Sequence, residues 1–290
     1  MKITFWGVRG SFPVSSPDYL KYGGNTPCVE VEAGATTFLL DAGTGIRAAG
    51  QALLERGATR VDILLSHPHW DHVQGFPHCP LLFCEGAGIT IRSLPRPGRD
   101  LREIFDAQQR PPFFPIPLDR AKAELTFADL TEGQAQQIGA ATVTCHRLNH
   151  PGVVGGFRIE HDGAAVAYIC DADVYGDLLL ADDLPAASAA TRERRRQDLQ
   201  DRARDLSHRV DLLVCDTFFL PEEYQPDWGH SRPDDAIQLA RAAGARCVAL
   251  FHHRPGRTDS QLDALLERYR AQVDGQLELV AAREGMQVTL

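Results

Sequence analysis

With 290 residues, 43% of them hydrophobic, the chain can bury a large core, and the absence of any run near 18 consecutive apolar residues excludes a membrane-spanning helix. A net charge of −9 argues against a large polyanion such as folded RNA as the default partner, while a small phosphate ligand stays compatible. The seven cysteines are odd in number, scattered and free of any C-x-x-C, so they read as reduced, buried small hydrophobes of a cytoplasmic protein.

The first run, Met1 to Gly7, reads as a strand and lacks the apolar stretch and cleavage site of a secretory signal. Strand-like runs fall at 3–8, 28–33, 37–41, 61–65, 88–93, 142–148, 155–160, 164–170, 210–215, 246–251 and near 276–289. His161-Asp162-Gly163 supplies a hairpin turn. Helical periodicity covers 46–57, 99–109, 190–208, 233–243 and 259–272. Ser231 before Pro233 and Gly244 after the last periodic residue punctuate the helix at 233–243. Residues 94–117 are rich in proline and aromatics, and the end of this stretch, Arg110 to Pro117, cannot be a regular helix or central strand. It reads as a rigid loop over a site or a dimer contact. Residues 191–210 carry seven Arg against four acids, yet Leu199, Ala203, Leu206 and Val210 share one helical face, so the segment reads as an exposed amphipathic helix rather than a nucleic-acid patch. No repeat or linker divides the chain, and the pattern suggests one domain, 1–290, with two sheets face to face and helices outside.

Chemistry concentrates at the ends of the apolar runs. Ile63-Leu64-Leu65 leads into Ser66-His67-Pro68-His69-Trp70-Asp71-His72, which puts three imidazoles and a carboxylate within six residues. Such side chains cannot all point one way, so a tight loop lets His67 and His69 face one ion while Asp71 and His72 reach another. Other apolar runs lead into Asp41-Ala42-Gly43-Thr44-Gly45, Asn149-His150-Pro151, Asp171-Ala172-Asp173, Asp216 and His252-His253. Sites in α/β folds form at strand ends of this kind, so six such ends at one edge make an ion-binding cleft. Asp41 either accepts the second N–H of a ligand imidazole or caps the Gly-rich turn. Cys170 and Cys215 each precede a site carboxylate and, by strand alternation, face the core. His78, His146, His161 and His208 lie outside these blocks and read as structural.

The blocks Phe5 to Ser11, Tyr22 to Val31, Asp41 to Gly45, Ser66 to His72, the Phe113-Phe114-Pro115 loop, Gly229-His230-Ser231 and His252-His253 carry a resemblance. On them the chain is identified as a member of the metallo-β-lactamase superfamily in its ribonuclease Z-like branch. It is similar to bacterial cyclic-nucleotide and phosphoribosyl cyclic phosphodiesterases. The resemblance implies a four-layer αββα sandwich and two divalent ions, zinc or manganese, with iron accepted by the same donors. His67, His69 and His150 would hold one ion, and Asp71, His72 and His252 the other, with Asp171 bridging. His253 is the alternative to His252. Asp216 and His230 resemble the acid and histidine that serve the leaving group in ribonuclease Z, where the acid is Glu, so the reach of the shorter Asp matters.

The function so implied is hydrolysis of a small cyclic phosphodiester, a cyclic nucleotide, by metal-bound hydroxide, with His230 protonating the departing oxygen. Arg9, Asn25 and Thr26 would position the phosphate, Arg254 would add a basic group at the rim, and Phe113 or Phe114 would stack on a base. Resemblance also implies a homodimer. The alternatives are an RNA 3′-processing endonuclease of the ribonuclease Z type, disfavoured by the charge and by the lack of a long Gly/Pro-rich arm, and a non-catalytic nucleotide-binding sensor. His69 stands where flavodiiron oxidoreductases need a carboxylate. β-Lactam hydrolysis and thioester hydrolysis fit the remaining blocks less well.

Overall fold

A computed structural model describes residues 1–179, 187–273, 275 and 277–290. Two seven-stranded sheets organise it. The first contains β1 (Lys2–Gly7), β2 (Cys28–Ala33), β3 (Thr36–Leu40), β4 (Arg60–Leu64), β5 (Gly88–Ser93) and β6 (Glu124–Asp129). The second contains β7 (Gln136–Ile138), β8 (Ala141–Arg147), β9 (Gly155–His161), β10 (Ala164–Ile169), β11 (Leu212–Asp216), β12 (Cys247–Phe251) and β13 (Glu278–Ala281), while β14 (Gln287–Thr289) returns to the first. The orders are β14-β1-β2-β3-β4-β5-β6 and β13-β12-β11-β10-β9-β8-β7. Within them, β3 to β6 run parallel, as do β10 to β13, and the remaining pairs are antiparallel. The helices are α1 (Ile46–Glu55), α2 (Trp70–Val73), α3 (Leu101–Gln108), α4 (Ala189–Leu206), α5 (Pro233–Ala243) and α6 (Asp259–Arg270).

The period-2 alternation of the strands builds the layers. Phe38 and Leu40 join Val166, Tyr168, Val214 and Phe251 in the core between the sheets. Leu39 and Ile63 turn the other way, onto Ile46, Leu53 and Phe105 of α1 and α3. Ala167, Ile169, Leu213 and Leu250 meet Leu206, Leu239 and Tyr269 of α4, α5 and α6. The arrangement is an αββα sandwich with two sheets inside and helices on both outer faces.

The hairpin turn lies where expected, with Asp162 and Gly163 at φ 48° and 78°, the left-handed pair a two-residue turn demands. Four expectations need correction. Strands β6 and β7 were not anticipated, because one is half-exposed without clean alternation and the other is a three-residue edge. The stretch near 276–289, whose first residue lies outside the described residues, divides into β13 and β14, which belong to different sheets. The histidine run is not all loop, since Trp70–Val73 forms one helical turn. Ser231 does not cap α5: its hydroxyl donates to the Ala172 carbonyl at 2.6 Å, and Asp235 accepts from the backbone N–H of Arg232 at 2.9 Å instead. No helix among the described residues is long and apolar enough to cross a membrane.

Candidate metal centre

Asp41, His67, His150, Asp171, Asp216 and His252 stand at or just beyond the C-terminal ends of β3, β4, β8, β10, β11 and β12, and all six are buried. The parallel central strands bring these ends to one edge. Three overlapping groups of donors form there. The first comprises His67, His69, His150 and Asp171, the second includes His72, Asp171 and His252, and the third adds Asp216 and His230 to Asp171 and His252, with the ligating atoms of each group within 4.8 Å of one another. Asp171 belongs to all three, and its two oxygens are divided between the first two. Oδ2 lies 3.5 Å from His67 Nε2 and 4.0 Å from His150 Nε2, whereas Oδ1 lies 3.2 Å from His72 Nε2 and 3.1 Å from His252 Nε2. Asp71 joins the second group through Oδ2, at 3.3 Å from His72 Nε2 and 3.1 Å from His252 Nε2.

Hydrogen bonds behind the imidazoles decide which nitrogen faces inward. His72 Nδ1 is paired with Asp41 Oδ2 at 2.8 Å, and His150 Nδ1 donates to the Gly229 carbonyl at 2.7 Å, so each leaves Nε2 pointing at the group. Asp41 also accepts from the Ser66 backbone N–H at 2.7 Å and from the Tyr168 hydroxyl at 2.7 Å. It thereby ties the start of the histidine run to the opposite sheet. The Ser11 backbone N–H donates to Asp71 Oδ2 at 2.7 Å. Asp41, Asp171 and His252 all sit at positive φ, 63°, 49° and 57°. Left-handed backbone at non-glycine residues is strained and persists where surrounding contacts dictate it, typically at functional sites.

Charge is unevenly placed. Burial opposes ionisation of Asp171, but His252 and His72 outweigh it and hold the carboxyl well below the usual range. Burial likewise pushes His67 down, helped by His72, and takes His150 down to about 3 against the pull of Asp171. His67 Nε2 and His72 Nε2 are buried and make no hydrogen bond. The carboxylates of Asp171 and Asp71 lie beside these nitrogens, at 3.2 to 3.5 Å. Together with the converging carboxylates they are a donor set that suits divalent cations.

Beside the second group, His230 Nδ1 is paired with Asp216 Oδ2 at 2.8 Å, so the shorter Asp arm reaches. The other Asp216 oxygen accepts from the Phe218 N–H at 2.9 Å, which locks the carboxylate. Burial works against charge on His230, but Asp216, with Asp171 and Asp71, pushes its pKa up to about 9. The Phe218 ring stacks on the His230 ring at 4.7 Å and 21°.

The remaining expected residues sort clearly. His253 is turned away: buried, it donates Nε2–H to the Ala282 carbonyl at 2.8 Å, leaving His252 as the histidine within the group. Arg9 does not reach a phosphate, because its fully buried guanidinium serves the carbonyls of Gly23 at 2.8 Å and Arg257 at 2.6 Å. Thr26 is also buried and its hydroxyl accepts from the Thr44 N–H at 2.8 Å, while Asn25 Nδ2 donates to Glu284 at 3.0 Å. These three residues hold loops together rather than presenting donors to a ligand. Arg254 is paired with Glu223 at 3.2 Å, but the same oxygen also accepts from Arg257 at 2.7 Å, so two guanidiniums share one carboxylate. Phe114 packs edge-on against His78 at 5.5 Å, and Phe113 is 83% exposed. Cys215 packs under the helices, whereas the Cys170 thiol lies 3.0 Å from Asp171 Oδ1, closer to the donors than strand alternation alone suggests.

Sequence reasoning missed Arg96. Its Nη2 donates to the carbonyls of Ser66 and Val153, each at 3.1 Å, and its Nη1 to Ser93 Oγ at 2.7 Å. It therefore joins the loop of His67 to the loop of His150. Nothing in the proline-rich run around Arg96 signals this. Tyr168 was more accessible to inference, since a phenol on the inner face of an apolar strand needs a buried partner.

A family pattern described as the beta-lactamase superfamily domain matches residues 36–190, more than half of the chain and the stretch from β3 through His67, His150 and Asp171. The chain belongs to the beta-lactamase superfamily. Two curated superfamily relatives, ribonucleases Z from a Bradyrhizobium species and from Bradyrhizobium diazoefficiens, are 29% and 31% identical over 161 and 158 residues, 51% of this chain and 46% of each relative. The chain thus matches them over about half their length. Among solved structures, the metallo-beta-lactamase fold protein YhfI from Bacillus subtilis superposes with a TM-score of 0.70 at 19% identity, covering 99% of this chain and 98% of that one. A diphosphatase from the PhnP family follows with a TM-score of 0.64 at 17% identity, covering 100% and 97%. These structural likenesses establish the metallo-β-lactamase fold, which implies divalent metal ions for the donors described.

Proposed function

We propose that this chain is a dinuclear metal-dependent phosphodiesterase that opens a small cyclic phosphodiester, a cyclic nucleotide. The observation that carries the reading is Asp171, whose two oxygens face two different groups of imidazoles. In this reading His67, His69 and His150 would hold one ion, Asp71, His72 and His252 would hold the other, and Asp171 would serve both; the donors suit zinc or manganese. Bound divalent ions supply a water of lowered pKa and neutralise charge on the phosphoryl oxygens.

The chain's own groups do the rest. Asp41 keeps a proton on His72 Nδ1, and the Gly229 carbonyl keeps one on His150 Nδ1, so both rings present Nε2. Asp216 fixes His230 through Nδ1, so His230 Nε2 is the atom that delivers a proton to the departing ribose oxygen. His69 is exposed, so the cluster opens to solvent on that side, while burial of His67, His72, His150, Asp171 and His252 strengthens the interactions among them. The net charge of −9 favours a compact substrate over a long polyanion. The reading includes a homodimer with the exposed Phe113 loop at its contact, and a monomer mass by light scattering would remove that part.

The ribonuclease Z relatives favour a second reading, cleavage at RNA 3′ ends by the same centre. The experiment that separates the two incubates manganese- or zinc-reloaded protein with purine and pyrimidine 2′,3′- and 3′,5′-cyclic nucleotides, phosphoribosyl 1,2-cyclic phosphate and a precursor tRNA. Metal-dependent ring opening without RNA cleavage supports the first reading. RNA cleavage without ring opening replaces it with the second.

A further inference from the structure

Two of the chain's three tryptophans are more than half exposed, Trp70 at 61% and Trp228 at 55%. The third, Trp6, spends its indole N–H on Glu30 at 2.8 Å. Tryptophan is highly buried on average, so two open indoles beside one cleft call for a partner. Both are attached to site residues. Trp70 lies between His69 and Asp71, and Trp228 immediately precedes Gly229 and His230.

The placement of Trp228 is the more tightly specified. The Gly229 carbonyl accepts from His150 Nδ1 at 2.7 Å. Gly229 sits at φ +77°, and a side chain there would come within 2.4 Å of that same nitrogen, so the segment approaches His150 as closely as a backbone can. His230 is then held by Asp216 at 2.8 Å. The two residues after Trp228 are thus pinned to the site, which fixes the root of the indole. Its ring rests beside Phe218 at 6.4 Å and Phe219 at 5.9 Å. Phe218 in turn stacks on His230 and reaches His252 at 5.9 Å. One ring therefore separates an exposed, positioned indole from the histidine assigned to the leaving group. Such an indole suits a planar, heteroaromatic group carried a short distance from the phosphate.

We propose that Trp228 is the platform on which the base of the cyclic nucleotide stacks, which makes it a specificity-determining residue and directs the site to substrates with a base. This rests on the phosphodiesterase reading. It also moves the stacking surface away from Phe113 and Phe114, the latter already packed on His78.

The test uses the metal-loaded protein and two readouts. Indole fluorescence is followed on titration with adenosine and uridine monophosphates, which have no cyclic ester to open, in wild type, Trp228→Phe and Trp70→Phe. Quenching is expected in wild type and Trp70→Phe and is expected to vanish in Trp228→Phe. Quenching that survives in Trp228→Phe but is lost in Trp70→Phe, or that is absent from wild type, overturns the proposal. In parallel, the ratio of kcat/KM for a cyclic nucleotide to that for phosphoribosyl 1,2-cyclic phosphate, which has no base, is expected to fall about tenfold or more in Trp228→Ala and to recover largely in Trp228→Phe. An unchanged ratio also overturns it. If no cyclic phosphate is opened at all, the phosphodiesterase reading fails, while the fluorescence series still decides whether Trp228 meets a base.

Discussion

Adjacent histidines at the end of β12 meet different partners, and the difference is set by which way each ring turns. His252 lies 3.1 Å from both Asp71 and Asp171, whereas His253 donates to the Ala282 carbonyl and packs against Tyr22. The sequence alone leaves this pair open, since both rings are equally able to hold a metal. Replacing His253 by Ala removes a buried hydrogen bond and opens a cavity, with an expected cost of about 2–4 kcal/mol in stability. Metal content should stay at two ions per chain. Replacing His252 by Ala should instead lose one ion. Elemental analysis beside thermal unfolding reads both outcomes, and loss of an ion from His253→Ala would reverse the assignment. Most of the other donors were legible one by one, because His and Asp at the ends of apolar runs have few other reasons to recur. Arg9, Asn25 and Thr26 were misjudged for a physical reason: polar residues in Gly-rich turns near a cleft also satisfy the backbone of those turns, and here they do.

Whole elements explain why the site keeps its shape. The His67 loop leaves one sheet and the His150 loop leaves the other, and the Arg96 guanidinium bridges their carbonyls. Arg96→Met should therefore weaken binding of the ion that His67, His69 and His150 are proposed to hold by roughly 10–100-fold, as losses behind metal ligands usually do. The ion proposed for Asp71, His72 and His252 should bind nearly as before. Metal titration measures both affinities, and equal weakening of the two would make Arg96 a general structural residue. Helix α4 shows a different balance. Leu199, Ala203 and Leu206 are buried as the spacing requires. Arg195, Arg196, Arg202 and Arg204 pair with Asp198, Glu193 and Asp201 along the helix or with Glu132 beside it. Leu199→Ala should cost about 2–4 kcal/mol in denaturant unfolding, and the exposed Arg194→Ala about 0.5 kcal/mol or less. The reverse ranking would mean that the helix is held by its charges. The five longer helices and the central strands were readable from periodicity, whereas the single turn of α2 was not, nor were β6 and β7, because sheet edges need little apolar alternation.

At the scale of the molecule, donors from both sheets converge on one centre, so on the proposed reading bound ions would act as crosslinks between them. Chelation should lower the unfolding temperature of the wild-type protein, and the shift should be much smaller in Asp171→Ala, where the shared ligand is gone. Equal shifts in scanning calorimetry would place the stabilising ions elsewhere. The layered architecture followed from alternating strands and amphipathic helices, but the division of the last 14 residues between two sheets depends on long-range pairing that no local pattern encodes. The most direct measurement is hydrolysis of a cyclic nucleotide in ¹⁸O-enriched water by protein with both ions bound, read by mass spectrometry beside Asp71→Ala. One ¹⁸O per product phosphate from the wild type, with turnover reduced at least about 1,000-fold in the variant, is the predicted result. No labelled product from fully metallated wild type would contradict the phosphodiesterase reading.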